Sequence, residues 1–158
     1  MNTERRPLNI THSGAPAAAR SMYDERFLVP MRRDLTEVGF TELRTADEVD
    51  EAMQKPGTAL VLVNSVCGCS ARMARPAARI AVGHQTKPEH LYTVFAGQDA
   101  EATEQARGYF TGYPPSSPSM AIMRDGKLVW MMERWQIEGR PAEEIANELI
   151  AAFEKHSR

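Results

Sequence analysis

Two cysteines, Cys67 and Cys69, flank a single glycine, Gly68. A thiol reacts as its thiolate, and its pKa falls when backbone amides and the positive end of a helix dipole face it. Cys67 directly follows a continuous apolar run and precedes a stretch of helix formers, so it stands where a strand becomes a helix. Its sulfur there can face the free N–H groups that begin the helix, with the Ser70 hydroxyl and the Arg72 guanidinium close enough in sequence to add support. Cys67 is therefore expected to be the attacking thiol. Cys69, one step into the helix and less exposed, is expected to resolve a mixed disulfide formed at Cys67. A Cys-x-Cys disulfide closes a smaller ring than Cys-x-x-Cys and must bend the backbone, which Gly68 tolerates. A strained disulfide is more readily reduced, so thiol exchange or mixed-disulfide removal is expected over bulk disulfide reduction.

Cys-x-Cys alone is a weak motif, and other readings stand beside this one. Both cysteines could be inert small hydrophobes, although two of them flanking a glycine at a strand-to-helix junction speak against that. Two thiolates supply half of a tetrahedral metal site. His84 and His90 fall on loops, His12 near the N-terminus and His156 near the C-terminus, none at ligand spacing, and each reads as a solvated surface residue. A metal-binding module or a non-catalytic interaction domain is thus the alternative. Asp99, Glu101 and Glu104 read as a capped, solvated helix start. Trp130, Trp135 and the methionines at 120, 123, 131 and 132 read as sheet and core residues, with exposed ones near the cysteines available for docking.

The elements that must hold the cysteine turn follow from periodicity. Residues 1–21 mix Arg, Pro, Asn, Thr and Ala without apolar period and read as a poorly ordered tail, leaving 22–158 as one domain. Phe27, Leu28, Met31, Leu35 and Val38 recur at helical spacing, with Pro30 expected to kink or interrupt the helix and Gly39 to stop it. Thr45-Ala46-Asp47-Glu48 caps a short helix that ends at Pro56-Gly57. Ala59–Val63 is the apolar, β-branched pattern of a strand buried on both faces. A helix follows over Ser70–Ala81, with small alanines toward the sheet, arginines 72, 75 and 79 on the other face, and a kink at Pro76. Leu91–Ala96 reads as a strand, Asp99–Phe110 as a helix, and 119–123 with 128–132 as a hairpin around Asp125-Gly126. A helix from Pro141, with Ile145, Leu149, Ile150 and Phe153 on one stripe, completes the order. This order fits an α/β fold, a mixed central sheet with helices on both faces. The segment Pro114 to Ser119 precedes the hairpin, and Ser117-Pro118 at a strand start can be held cis by a tight turn; an ordinary Pro-rich loop reads equally well.

Bulk composition narrows the partners. The chain has 158 residues, 42% hydrophobic and 25% charged, a globular composition large enough for a core without disulfide or metal staples. A formal net charge of −2 supplies no field for nucleic acid. No apolar run reaches the roughly 20 residues of a membrane span, and the first 20 lack a secretory apolar core, so no membrane partner and a cytoplasmic location are expected.

Several segments taken together resemble the bacilliredoxins, a thioredoxin-like family with a Cys-Gly-Cys motif. They are Val29 to Leu35, Asn64 to Cys69, Ala74 to Ala77, Val94 to Asp99, Phe110 to Gly112, Pro115 to Ala121 and Ile137-Glu138-Gly139. The resemblance runs from about Met22 onward. It implies a thioredoxin-like fold and removal of bacillithiol, or a similar low-molecular-weight thiol, from S-thiolated client proteins, with weak disulfide isomerase activity. Cys67 would attack the mixed disulfide and Cys69 resolve it. Pro118 would be the fold's cis-proline, and Ser117 before it would offer backbone to the client chain. No cofactor is implied, the small thiol being a co-substrate. The family commonly has His at the position of Trp135, and the longer N-terminus here is a second departure.

Overall fold

The computed structural model describes residues 22–158; the tail expected at 1–21 lies outside them. The Asp24 carboxylate accepts the Arg26 amide and caps α1 (Glu25–Thr36). Pro30 does not interrupt α1. Leu28, Arg32 and Leu35 set its inward face, which leaves Phe27, one residue round from Leu28, 71% exposed. The two-residue strand β1 (Thr41–Glu42) escapes sequence reading because two residues carry no period. In α2 (Ala46–Gln54) the Glu48 amide donates to Thr45 Oγ1 as expected, while the Glu48 carboxylate accepts from the Arg44 amide.

Every residue of β2 (Thr58–Asn64) is buried. The chain then turns helical at Gly68 and Cys69, opens into a π-helical turn over Ser70–Ala74, and continues as α3 (Arg75–Ala81). Pro76 has no N–H for the Arg72 carbonyl, and the discontinuity expected there takes the form of this wider turn, in which the Arg75 amide donates to the Ser70 carbonyl. A π turn holds extra backbone, so the faces assigned from a 3.6-residue period shift after it. Arg75, expected on the outer face, is consequently buried.

The remaining elements are β3 (His90–Phe95), α4 (Ala100–Tyr109), β4 (Ser119–Arg124), β5 (Lys127–Met132), the short α5 (Arg134–Ile137) and α6 (Ala142–His156). Asp125 and Gly126, both at positive φ, form the hairpin turn between β4 and β5. Pro141 sits at the N-cap of α6, one place before the expected position. Asp99, expected to be solvated, instead accepts from the buried Arg32 guanidinium at 2.7 Å, because the start of α4 lies against α1 and β1.

The five strands form one mixed sheet in the order β1-β3-β2-β4-β5, the first three parallel and the last two antiparallel. Side chains alternate along β2. Leu60 and Leu62 meet α1, α3 and α6 on one face, while Ala59, Val61 and Val63 meet α2 and α4 on the other. Ala74, Ala77, Ala78 and Ala81 are fully buried, and their small side chains let α3 approach closely. Register then brings three loops to one end of the sheet. Asn64 pairs with Phe95 across parallel strands, so Ser65–Cys67 and Ala96–Gly97 leave the sheet side by side. Val63 pairs with Ser119 across antiparallel strands, so Ser117-Pro118 enters at the same end.

Candidate active site

Cys67 starts the helix, its carbonyl accepting from the amides of Ser70 at 3.0 Å and Ala71 at 3.1 Å. Its sulfur lies 3.1 Å from Ser65 Oγ and 4.0 Å from Ser70 Oγ, and these two hydroxyls are 2.7 Å apart. Burial alone would push the thiol up. Hydrogen bonds from the Ser65 hydroxyl, the Ser70 amide and hydroxyl and the Cys69 amide outweigh it and hold the Cys67 pKa below the ordinary thiol range. Ser70 and the backbone amides act as expected from sequence, whereas Arg72 is exposed and takes no part in these bonds. Ser65, just past the end of β2 and two residues before Cys67, was missed from the sequence, because the bend at Val66 and Cys67 that turns its hydroxyl to the sulfur leaves no period.

Arg75 takes the place expected of Arg72. Its Nη1 donates to Asn64 Oδ1 and to the Ser65 carbonyl, both at 2.9 Å, and its Nε to Asp34 Oδ2 at 3.1 Å. Burial lowers the Arg75 pKa, opposed by Asp34 and by the charge of a Cys67 thiolate. The guanidinium thus ties the end of β2 to α1 and places positive charge under the cysteine turn.

Cys69 meets a different environment. Its thiol donates to Glu138 Oε1 at 3.6 Å, and Arg134 Nη2 lies 3.9 Å from the sulfur while Arg134 Nε donates to the same Glu138 oxygen at 2.8 Å. Burial and the nearby Cys67 charge push the Cys69 pKa up; Arg134 opposes and Glu138 adds to the rise. The two thiols therefore shift in opposite directions, one toward thiolate and one toward thiol. Cys69 is not the less exposed of the pair: both residues are half-buried, and the partners of Cys69 lie on the surface. Both cysteines are free thiols, and Gly68 between them is helical with open space around it.

The Ser117–Pro118 bond is cis. Ser117 lines the same cleft as Cys67, an open hollow of about 330 Å³ bounded also by Tyr23, Gly97, Arg107 and Arg134. The Ser117 carbonyl accepts from Arg134 Nη1 at 3.4 Å and the Ser116 hydroxyl accepts the Arg134 amide at 2.7 Å, which seats α5 on the proline loop. Sequence reading missed α5, whose four residues are too short for a period; the i, i+4 spacing of Arg134 and Glu138 and the Glu133–Gln136 capping box were its signals. Trp135, read as a core residue, is 71% exposed because α5 presents it outward, its Nε1 donating to Glu133 Oε2. Methionines 120, 123, 131 and 132 are buried as expected. His84 is held by Glu154 at 2.7 Å and His90 stacks on Tyr92, so neither is simply solvated. Among the described residues no group of three or more His, Cys, Asp or Glu side chains is placed to hold a metal ion.

The architecture is the thioredoxin fold. Thioredoxins of Malassezia sympodialis and Trypanosoma brucei brucei superpose with TM-scores of 0.54 and 0.52 at 13% and 17% identity, covering 76% and 74% of this chain and 92% of each of theirs. The class is a thioredoxin-fold protein with two free thiols at the strand-to-helix junction. A family model described as disulphide isomerase matches residues 23–157. A bacilliredoxin of Koribacter versatilis (strain Ellin345) is 56% identical over 136 residues, 85% of this chain and 94% of the relative. Another from Geobacillus kaustophilus (strain HTA426) is 54% identical over 125 residues, 79% and 86% of the two chains. The chain belongs to the bacilliredoxin family.

Proposed function

We propose that this protein removes bacillithiol, or a similar low-molecular-weight thiol, from S-thiolated client proteins in the cytoplasm. The observation that carries the reading is the opposite tuning of two neighbouring thiols, Cys67 held toward thiolate and Cys69 toward thiol. The Cys67 thiolate attacks the small thiol's sulfur in the mixed disulfide. A new disulfide forms between Cys67 and the small thiol as the client–small thiol bond breaks, and the client sulfur leaves as a thiolate that takes a proton from solvent. The client is reduced and Cys67 oxidised in the same exchange. Cys69, after losing its proton, attacks the Cys67 sulfur, releasing the small thiol and leaving a Cys67–Cys69 disulfide. Ser117, before cis-Pro118 and beside the same cleft, offers backbone to the client chain. Weak disulfide isomerase activity fits the same pair.

The test is release of bacillithiol from a bacillithiolated protein by the wild type, Cys67→Ala and Cys69→Ala, with glutathione and coenzyme A conjugates alongside. The expected result is loss of release in Cys67→Ala and at least one turnover in Cys69→Ala. Release from none of the conjugates would overturn the reading, and faster release from another conjugate would rename the thiol.

A further inference from the structure

The cleft beside Cys67 is lined by two charged residues, Arg107 and Arg134, both cations, and by no carboxylate. Arg134 is compensated from outside the cleft by Glu138. Arg107 is not compensated: among the described residues it forms no ion pair, and its buried Nε has no hydrogen-bond partner. A half-buried guanidinium with an unsatisfied donor costs free energy and calls for a compensating group, be it a water, an ion or a ligand that reaches its exposed side. Burial pushes its pKa down, as expected of a cation without a counter-charge.

Building on the reading above, we propose that Arg107 is the counter-ion for a carboxylate on the small thiol that Cys67 takes up, so the cleft selects acidic low-molecular-weight thiols. Guanidinium and carboxylate match as a bidentate pair, and the polar, open cleft of about 330 Å³ has room for a small thiol. The pairing matters most after the first exchange. A Cys67 thiolate supplies one negative charge to the cleft, and a disulfide at Cys67 removes it. The carboxylate of the attached thiol then brings a negative charge into the cleft and to Arg107, which holds the adduct in place while Cys69 attacks.

The test uses one protein carrying one modified cysteine, blocked either as its 3-mercaptopropionate disulfide or as the neutral 3-mercaptopropionamide disulfide. Wild-type protein should release the carboxylate about tenfold faster in kcat/KM, the size of one charge-assisted contact at a partly exposed site. In Arg107→Gln that preference should fall to near unity through a rise in KM for the carboxylate adduct, and Arg107→Lys should restore part of it. Equal rates on both adducts in the wild type overturn the subsite while leaving thiol removal intact, and this comparison needs no variant to fold. Release of neither adduct overturns the function and the subsite together. A second arm places Glu or Ala beside the modified cysteine in a peptide; dependence on Arg107 that follows the peptide's Glu instead of the small thiol's carboxylate would overturn the assignment to the small thiol.

Discussion

A hydroxyl 3.1 Å from a sulfur is a small feature with a measurable effect on thiol chemistry. Ser65 is the largest contributor holding Cys67 toward thiolate against burial. A hydrogen bond to a charged group contributes about 1.5–3 kcal/mol, and one pKa unit is about 1.4 kcal/mol. Ser65→Ala should therefore raise the inflection in the pH dependence of Cys67 alkylation. Alkylation by iodoacetamide below that inflection should slow by up to about tenfold, read in a Cys69→Ser background so that one thiol reports. An inflection that stays in place would assign the stabilisation to the backbone amides of Cys69 and Ser70. At this scale the motif was readable: Cys67, Gly68, Cys69 and Ser70 are contiguous, and helix-start geometry follows from the local pattern. Arg75 was readable only as a residue type. Its position beneath the cysteines depends on a π turn that no propensity announces.

Between elements, Arg75 joins three pieces of chain: α3, the end of β2 and α1 through Asp34. It is 3% exposed, whereas its carboxylate partner is half exposed, so the pair is screened on one side. Replacing it with Met keeps the volume but leaves the Ser65 carbonyl without this donor. Arg75→Met should therefore cost about 2–3 kcal/mol, a fall in Tm of roughly 5–10 °C in thermal unfolding. The same substitution removes positive charge from under Cys67, so its thiol should also shift up. A variant with unchanged Tm would mean that the junction between β2 and α3 is held by apolar packing alone. Elements of six residues or more, such as β2, β3 and α6, were legible because burial on one or two faces writes a period into the sequence. β1 and α5 were not, since both are stabilised by neighbours rather than by their own pattern.

At the scale of the whole molecule, Arg32 ties together segments far apart in the chain. It lies 7% exposed over the Phe95 ring and donates to Glu25 at 2.6 Å, to Glu42 at 2.9 Å and to Asp99 at 2.7 Å, joining α1, β1 and the start of α4. Removing one member of a buried charge cluster leaves the others uncompensated, at about 3 kcal/mol. Arg32→Met should lower Tm by roughly 10 °C. The Glu25 carboxyl is held below its ordinary range chiefly by the Arg32 hydrogen bond. A depressed folded pKa adds stability that is present above the unfolded value and lost as pH falls through the folded one. The wild type should therefore lose more of its stability than Arg32→Met as pH falls from about 5 to about 3 in urea unfolding; parallel losses would place the acid sensitivity elsewhere. Among the described residues no helix is long and apolar enough to cross a membrane.

The residue types and the periods along the chain already contain the reactive pair, the strand that delivers it, the hairpin and the layered α/β plan, because each is a local pattern of burial or turn chemistry. Tertiary structure alone decided which long-range groups meet the sulfurs. Sheet register brought Gly97 and Ser117 beside Cys67, and the docking of α5 on the proline loop set Arg134 and Glu138 on Cys69. Contacts between residues 69 positions apart depend on strand order and helix seating, and neither leaves a spacing that can be counted along the chain.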